Sequence, residues 1–538
     1  MKKSAIFSAI LLIASISYAQ KAEKILKKAS KHNQKGSYYS SIKYCEKAIL
    51  KDPSYAEAYF IKANNLFALE DYTAAIEVYD QGIKTITEKT MKQLYKRGIE
   101  KYFGEDYYGA IEDFSEVLEI NPQHSEAYNY RGIASEKVGD IQGAMADYNA
   151  AIQFNVNFAE AYNNRGKLQN ELKHYVGALS DVSVAIELDP YCEGAFVNSG
   201  LIKTEIGDYK GAIQDLNMAI ELNSENCDAY FLRGNAKTKV NELEEANIDL
   251  TRAIYLFPKY EKALINRGLV RFALKDNQGA IADLTKAIEI NPEGEEAYFN
   301  RGKILKVMGK SFEAMADFTN AFEYNNANIT AVLHRADIKR NILDYGGAIK
   351  DCNLAISLDK NNATAYFMKG YVENKVGDYA SAVEDYSMAI NLNENNTYRV
   401  FHYRGRAKMN LGDHVGANAD FQTTIAMIKN ANKKDFTMFA YSNQFIGNDE
   451  EAVKSMNEEI ASFPFNPWGY YDMACIQSLQ NNQAAAIENL EMALSNGFSA
   501  KTELNGDVDL QNVKHTKEYY ELMLKYNIEN TGNLSFLE

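Results

Sequence analysis

Seven histidines (His32, His124, His174, His334, His402, His414, His515) and five cysteines (Cys45, Cys192, Cys227, Cys352, Cys475) are the side chains best able to hold a metal or attack a substrate. Their spacing supports neither. A zinc site needs ligands a few residues apart, and a hydrolytic triad needs a nucleophile on a tight turn. The chain contains no H-E-x-x-H, no Cys-x-x-Cys and no G-x-S-x-G. An odd number of scattered cysteines is not a disulfide framework, and small buried apolar groups account for them better. No catalytic, cofactor-binding or metal-ligating residue is assigned, and an enzyme is not expected.

One charged constellation recurs. Arg97, Arg131, Arg165, Arg233, Arg267, Arg301, Arg335, Lys369 and Arg404 are each followed sixteen residues later by an aspartate, in turn Asp113, Asp147, Asp181, Asp249, Asp283, Asp317, Asp351, Asp385 and Asp420. Ser199 with Asp215 breaks the series. A planar guanidinium can bind a carboxylate through two parallel hydrogen bonds. The expected role is a structural ladder of partly buried pairs tying one helix to another, not acid–base chemistry.

Such a ladder needs repeated elements, and the sequence writes them out. Gly98, Gly132, Gly166, Gly200, Gly234, Gly268 and Gly302 stand 34 residues apart; Gly370 and, after one inserted residue, Gly405 continue the series, with Ala336 in the missing step. Twelve residues after each comes an alanine, from Ala110 to Ala417, and in most copies a second follows seven later, as at Ala151, Ala185, Ala287 and Ala389. Glycine inside a helix costs about 1 kcal/mol relative to alanine, so a repeated glycine requires close helix approach. Gly139-Asp140, Gly207-Asp208, Gly377-Asp378 and Gly412-Asp413 read as a left-handed cap followed by an N-cap. Pro53, Pro122, Pro190, Pro258, Pro292 and Pro464 fall on one register position, where the second helix ends.

With the glycine numbered 8, this pattern resembles the tetratricopeptide repeat: a large residue at 4, Gly or Ala at 8, Ala at 20 and 27, and Pro at 32. The resemblance implies an all-α solenoid, a right-handed superhelix of antiparallel helix pairs. About fourteen repeats fit residues 20–500, starting near 22, 56, 91, 125, 159, 193, 227, 261, 295, 329, 363, 398, 433 and 467, with residues 501–538 as a C-terminal cap. The ladder bases occupy position 7 and the acids position 23.

In this family the inner lining is formed by helix A positions 2, 5, 9, 12 and 13. Repeats 2 and 3 place Phe60, Phe67, Tyr95, Ile99, Tyr102 and Phe103 there, an apolar patch suited to a protein or peptide. Repeats 4 and 5 place Asn129, Glu136, Lys137, Asn163, Lys167, Asn170 and Glu171 there. Repeats 9 to 12 supply Lys303, Lys306, Arg340, Lys375 and Arg406, a basic strip suited to an acidic peptide or anionic glycan. Partner-clamping relatives carry Lys at 5 and Asn at 9, and no full repeat here has that pair.

The chain has 538 residues, too many for one globular core but ordinary for a repeat array. Its formal charge of −15 argues against nucleic acid, which attracts basic clusters. Lys2 and Lys3, the apolar run Ala5 to Ile16, and Ser17-Tyr18-Ala19 before Gln20 read as a cleavable secretory signal over residues 1–19 without a lipid-acceptor cysteine. No later segment reaches spanning length. The expected function is a non-catalytic interaction scaffold exported to the periplasm or secreted, with an envelope complex as its expected setting. The alternative is a module that binds glycan, cell wall or another anionic ligand.

Overall fold

In the computed structural model, residues 20–85, 91–392, 397–431, 435–499, 504 and 506–528 are described. The signal-like residues 1–19 and residues 501–503, 505 and 529–538 of the C-terminal segment lie outside them. Among the described residues all regular structure is helical. Among them thirteen antiparallel helix pairs lie within one or the other of two bodies, from residues 20–33 with Tyr38–Lys51 to Pro467–Leu479 with Gln483–Ser495; Glu261–Ala273 ends the first body and Asn277–Ile290 opens the second. Most span 13 or 14 residues, as in Ser125–Lys137 and Ile141–Phe154. Helices this short are marginal alone in water, so packing between partners must hold them.

The turn inside each pair is built as its residues dictate. Gly139, Gly207, Gly377 and Gly412 have φ of +83°, +85°, +88° and +85°. The following aspartate then accepts a hydrogen bond from the third residue of helix B, as Asp140 does from the Gly143 N–H at 2.9 Å. Where another residue stands in the glycine's place the backbone still adopts the left-handed form, at Glu105, Lys173, Asn241, Lys275 and Leu343.

The periodic glycine of helix A approaches helix B through a different neighbour than the alanines alone suggest. A Cβ on Gly98 would lie 2.8 Å from Phe114, on Gly132 2.8 Å from Tyr148, and on Gly200 2.5 Å from Leu216. The large residue at position 24 fills the space that glycine leaves, while the alanines at 20 and 27 are wholly buried beside it. Cys45 and Cys352 occupy position 24 and are buried; all five cysteines are free thiols.

The chain divides into two bodies, Met1–Asp276 and Asn277–Glu538. The aromatic patch belongs wholly to the first and the basic strip wholly to the second. In the second, the C-terminal segment, a 3-10 turn Val508–Leu510 and helices Gln511–Lys514 and Lys517–Lys525, adds Leu510, Val513, Tyr519, Leu522 and Met523 to the core of the last repeats.

Candidate functional site

The Arg–Asp ladder sets the frame on which the lining sits. Arg131 donates from Nε to Asp147 Oδ2 at 2.8 Å and from Nη2 to Oδ1 at 2.7 Å. The same bidentate geometry holds Arg97 to Asp113, Arg165 to Asp181, Arg233 to Asp249, Arg301 to Asp317, Arg335 to Asp351 and Arg404 to Asp420. Arg267 and Asp283 fall in different bodies. These hydrogen bonds push the Arg131, Arg165 and Arg301 guanidinium groups above their ordinary range.

Each arginine spends its third nitrogen on the repeat before its own. Nη1 of Arg131 donates to Ser115, of Arg165 to Asn149, of Arg233 to Asn217, and of Arg335 to Thr319, all at position 25. Where position 4 is aromatic its ring lies under the guanidinium, with Arg131 5.5 Å from the Tyr128 ring centre and Arg233 5.5 Å from that of Tyr230. One side chain thus joins helix A to helix B of its own repeat and to helix B of the preceding one.

The break in the series is repaired. Ser199 donates to Asp215 at 2.5 Å and Lys203, at position 11, pairs with the same carboxylate at 2.6 Å. Lys237, Lys339 and Lys408 occupy position 11 and give their aspartates a second cation at 2.8, 2.8 and 2.9 Å. At repeat 11 the arrangement inverts. Position 11 is Glu373, which is buried, while the single cation Lys369 serves both it (3.3 Å) and Asp385 (2.8 Å). Burial, then a hydrogen bond shared with Asp385, raises the Glu373 carboxyl well above the carboxylate range.

In the first body the predicted aromatic residues do come together, but as a stacked layer more than as bare surface. Phe67 meets Phe103 edge-on at 5.6 Å, Phe103 meets Tyr102 at 5.4 Å, and Tyr72 stacks on Phe103 at 6.0 Å. Tyr95 packs on Phe114, His124 and Tyr130 at 5.8, 5.0 and 6.0 Å. Phe60 lies against Tyr79 at 5.1 Å. Phe103 is 46% exposed; Phe60, Phe67, Tyr95, Ile99 and Tyr102 are half-buried. The polar stretch that follows binds itself: Asn164 donates to Asn129 at 3.0 Å, Asn198 to Asn163 at 2.8 Å, and Lys167 pairs with Glu136 at 3.4 Å.

The basic strip in the second body is only partly free. Lys306 and Arg340 share Asp337, at 2.5 and 2.6 Å, and Arg406 is taken by Asp509 through two contacts of 3.1 Å. Lys303 lies 4.8 Å from the centre of the Phe299 ring, and burial lowers its ammonium below the usual range. Arg340 and Lys375 flank the Tyr371 ring at 5.0 and 5.8 Å. Lys375 is exposed.

Two features escape a reading by types alone. Glu100, at position 10 of repeat 3, is 3% exposed, and its Oε2 has no hydrogen-bond partner. Burial raises its carboxyl to about 8, against a smaller lowering by Lys96. Position 10 is apolar in the nine repeats that follow, from Ala134, Leu168, Ile202, Ala236, Val270, Ile304, Ile338 and Val372 to Ala407, so the register carries that signal. The second is the acidic hook Asp507-Val508-Asp509. Asp507 accepts from the Tyr471 hydroxyl at 2.9 Å, and its carbonyl from Lys514 at 2.7 Å. Nothing in local spacing links Asp509 to Arg406, 103 residues earlier.

Comparison with known families agrees with the repeat geometry. Family models described as TPR repeat match residues 200–241 and 268–309, and those described as tetratricopeptide repeat match 27–86, 95–157 and 363–396. The chain is a tetratricopeptide-repeat protein. Among solved structures it is similar to MamA (27% identity, TM-score 0.29, covering 30% of this chain and 94% of that one). It is also similar to a tetratricopeptide repeat protein from Parabacteroides merdae (20%, 0.37, covering 46% and 97%) and to the APC/C hetero-tetramer Cut9-Hcn1 (14%, 0.39, covering 90% and 99%). No curated protein matches it.

Proposed function

We propose that this chain is a non-catalytic scaffold, exported to the cell envelope, that holds partner proteins or peptides on the helix A lining of its repeats. The observation that carries the reading is the aromatic layer of repeats 2 and 3. Phe103 keeps 46% of its surface in water while stacked on Phe67, Tyr72 and Tyr102. Rigid aromatic side chains already held in place lose little freedom on binding, which is how contact surfaces concentrate affinity. The ladder supports the same reading, since its charged groups are committed to holding helices together. Among the described residues no helix is long and apolar enough to cross a membrane. Export rests on the leader-like run at residues 1–19.

The test is crosslinking in intact cells, with a photoreactive residue at Tyr102 or at the solvent-facing Lys210, followed by mass spectrometry. A defined partner captured at Tyr102 and lost with Phe67→Ala/Phe103→Ala is expected. Equal, unspecific capture at both positions would remove the scaffold reading. Sequencing the mature N-terminus checks export, with Gln20 expected as the first residue.

A further inference from the structure

We propose that the cationic face of repeats 9 to 11 takes an extended acidic segment of a partner protein, in which aspartates or glutamates alternate with apolar residues. This rests on the scaffold reading and names the chemistry of one partner. The chain's own C-terminal hook displays the mode of binding. Asp507 and Asp509 point to the lining while Val508 between them stays 63% exposed. Asp507 engages Tyr471 at position 5 of repeat 14, and Asp509 engages Arg406 at position 9 of repeat 12. Burial raises the Asp509 carboxyl, and Arg406 and Lys375 both act against that rise. Lys375 therefore belongs to the electrostatic field that receives the hook.

Beyond the hook the same face continues through repeats 11, 10 and 9. Lys375, Arg340 and Lys303 each lie over an aromatic ring, so positive charge and apolar surface alternate along the repeats. Asp337 is divided between Lys306 and Arg340, and Glu296 acts on Lys303, so the four cations Lys303, Lys306, Arg340 and Lys375 face two carboxylates inside a chain of net charge −15. Cations set on aromatic faces suit a strand with carboxylates and apolar side chains in alternation. A glycan or polyphosphate supplies the charge without the apolar side chains that Phe299 and Tyr371 are placed to receive. The hook binds by side chains along its length, so the partner segment need not be a chain terminus.

Fluorescence anisotropy with the full chain tests this, using a labelled octapeptide that alternates aspartate with leucine and a second with lysine in place of aspartate. The acidic peptide is expected to bind, more weakly at higher salt, and the lysine peptide not to bind. Lys303→Glu/Lys375→Glu should weaken it at least tenfold with circular dichroism and melting unchanged. Tyr102→Ala/Phe103→Ala should leave it as it was. Equal binding to the parent and the charge-reversed variant overturns the proposal, as does displacement of the peptide by polyphosphate at lower concentration than by unlabelled peptide. Failure of the acidic peptide to bind, with in-cell capture at Tyr102 intact, overturns the proposal and leaves the scaffold reading standing. Loss of both removes both.

Discussion

Removing one rung of the ladder should cost more than surface ion pairs do, and the Arg233–Asp249 rung allows the size to be worked out. Asp249 is 2% exposed and is held by Arg233 Nε at 2.8 Å, Arg233 Nη2 at 2.6 Å and Lys237 Nζ at 2.8 Å. Asp249→Ala leaves two largely covered cations facing no anion, for which about 3 to 5 kcal/mol is the usual range. Arg233→Ala leaves Asp249 with Lys237, so roughly 2 kcal/mol is expected, part of it from the lost bond to Asn217 and the Tyr230 ring. Because both variants break the same bonds, the double variant should fall short of their sum by about 1 to 3 kcal/mol. Repeat arrays can unfold in parts, so urea melts should be read beside hydrogen exchange of Cys227–Lys239 and Leu243–Leu256. Single effects near 0.5 kcal/mol that simply add would refute the ladder as a holding device.

Glu100 predicts a pH dependence of known sign. Its folded carboxyl titrates at about 8 against an ordinary 4.5, so between those values the folded state keeps a proton that the unfolded state has lost. Stability should fall by about 1.4 kcal/mol per pH unit across that window and level off above it. Thermal melts of Glu100→Gln from pH 5 to pH 9 should show a shallower decline than the parent; parallel curves would exclude the assignment. Gly200→Ala should destabilise by roughly 1 to 3 kcal/mol, because the new methyl would meet Leu216 at 2.5 Å. Gly194→Ala, whose nearest neighbour would be Asn163 at 3.6 Å, should cost little, and equal urea midpoints for the two variants would contradict the packing account.

The repeat was legible because its signals are local and copied many times. Gly-Asp turns, the proline stop and the sixteen-residue Arg–Asp spacing are each local to one helix pair, and the structure has all three as the spacing implies. What the spacing left out was the partner of Arg131's third nitrogen, since Ser115 varies in type from copy to copy as Asn149, Asn217 and Thr319. The glycine implies a close helix approach, but its spacing does not name the contact, which is the large residue at position 24. Charge along a lining says nothing of distant acids, so the spacing of the basic strip gives no sign that Arg406 meets Asp509. Glu100 stands out only when its position is compared with the apolar residues of repeats 4 to 12.

The arginine's reach toward the previous helix pair gives the assembly a polarity. As a ribosome releases the chain, each new guanidinium emerges to find its position-25 hydroxyl or amide already in place, as Arg335 finds Thr319 and Arg233 finds Asn217. At Ser115, Asn149 and Asn217 in the first body, trimming from the carboxyl end therefore bares neutral acceptors that water can satisfy. Trimming from the amino end deprives a charged group of an anchor, so nested deletions of equal length should be tolerated unequally from the two directions.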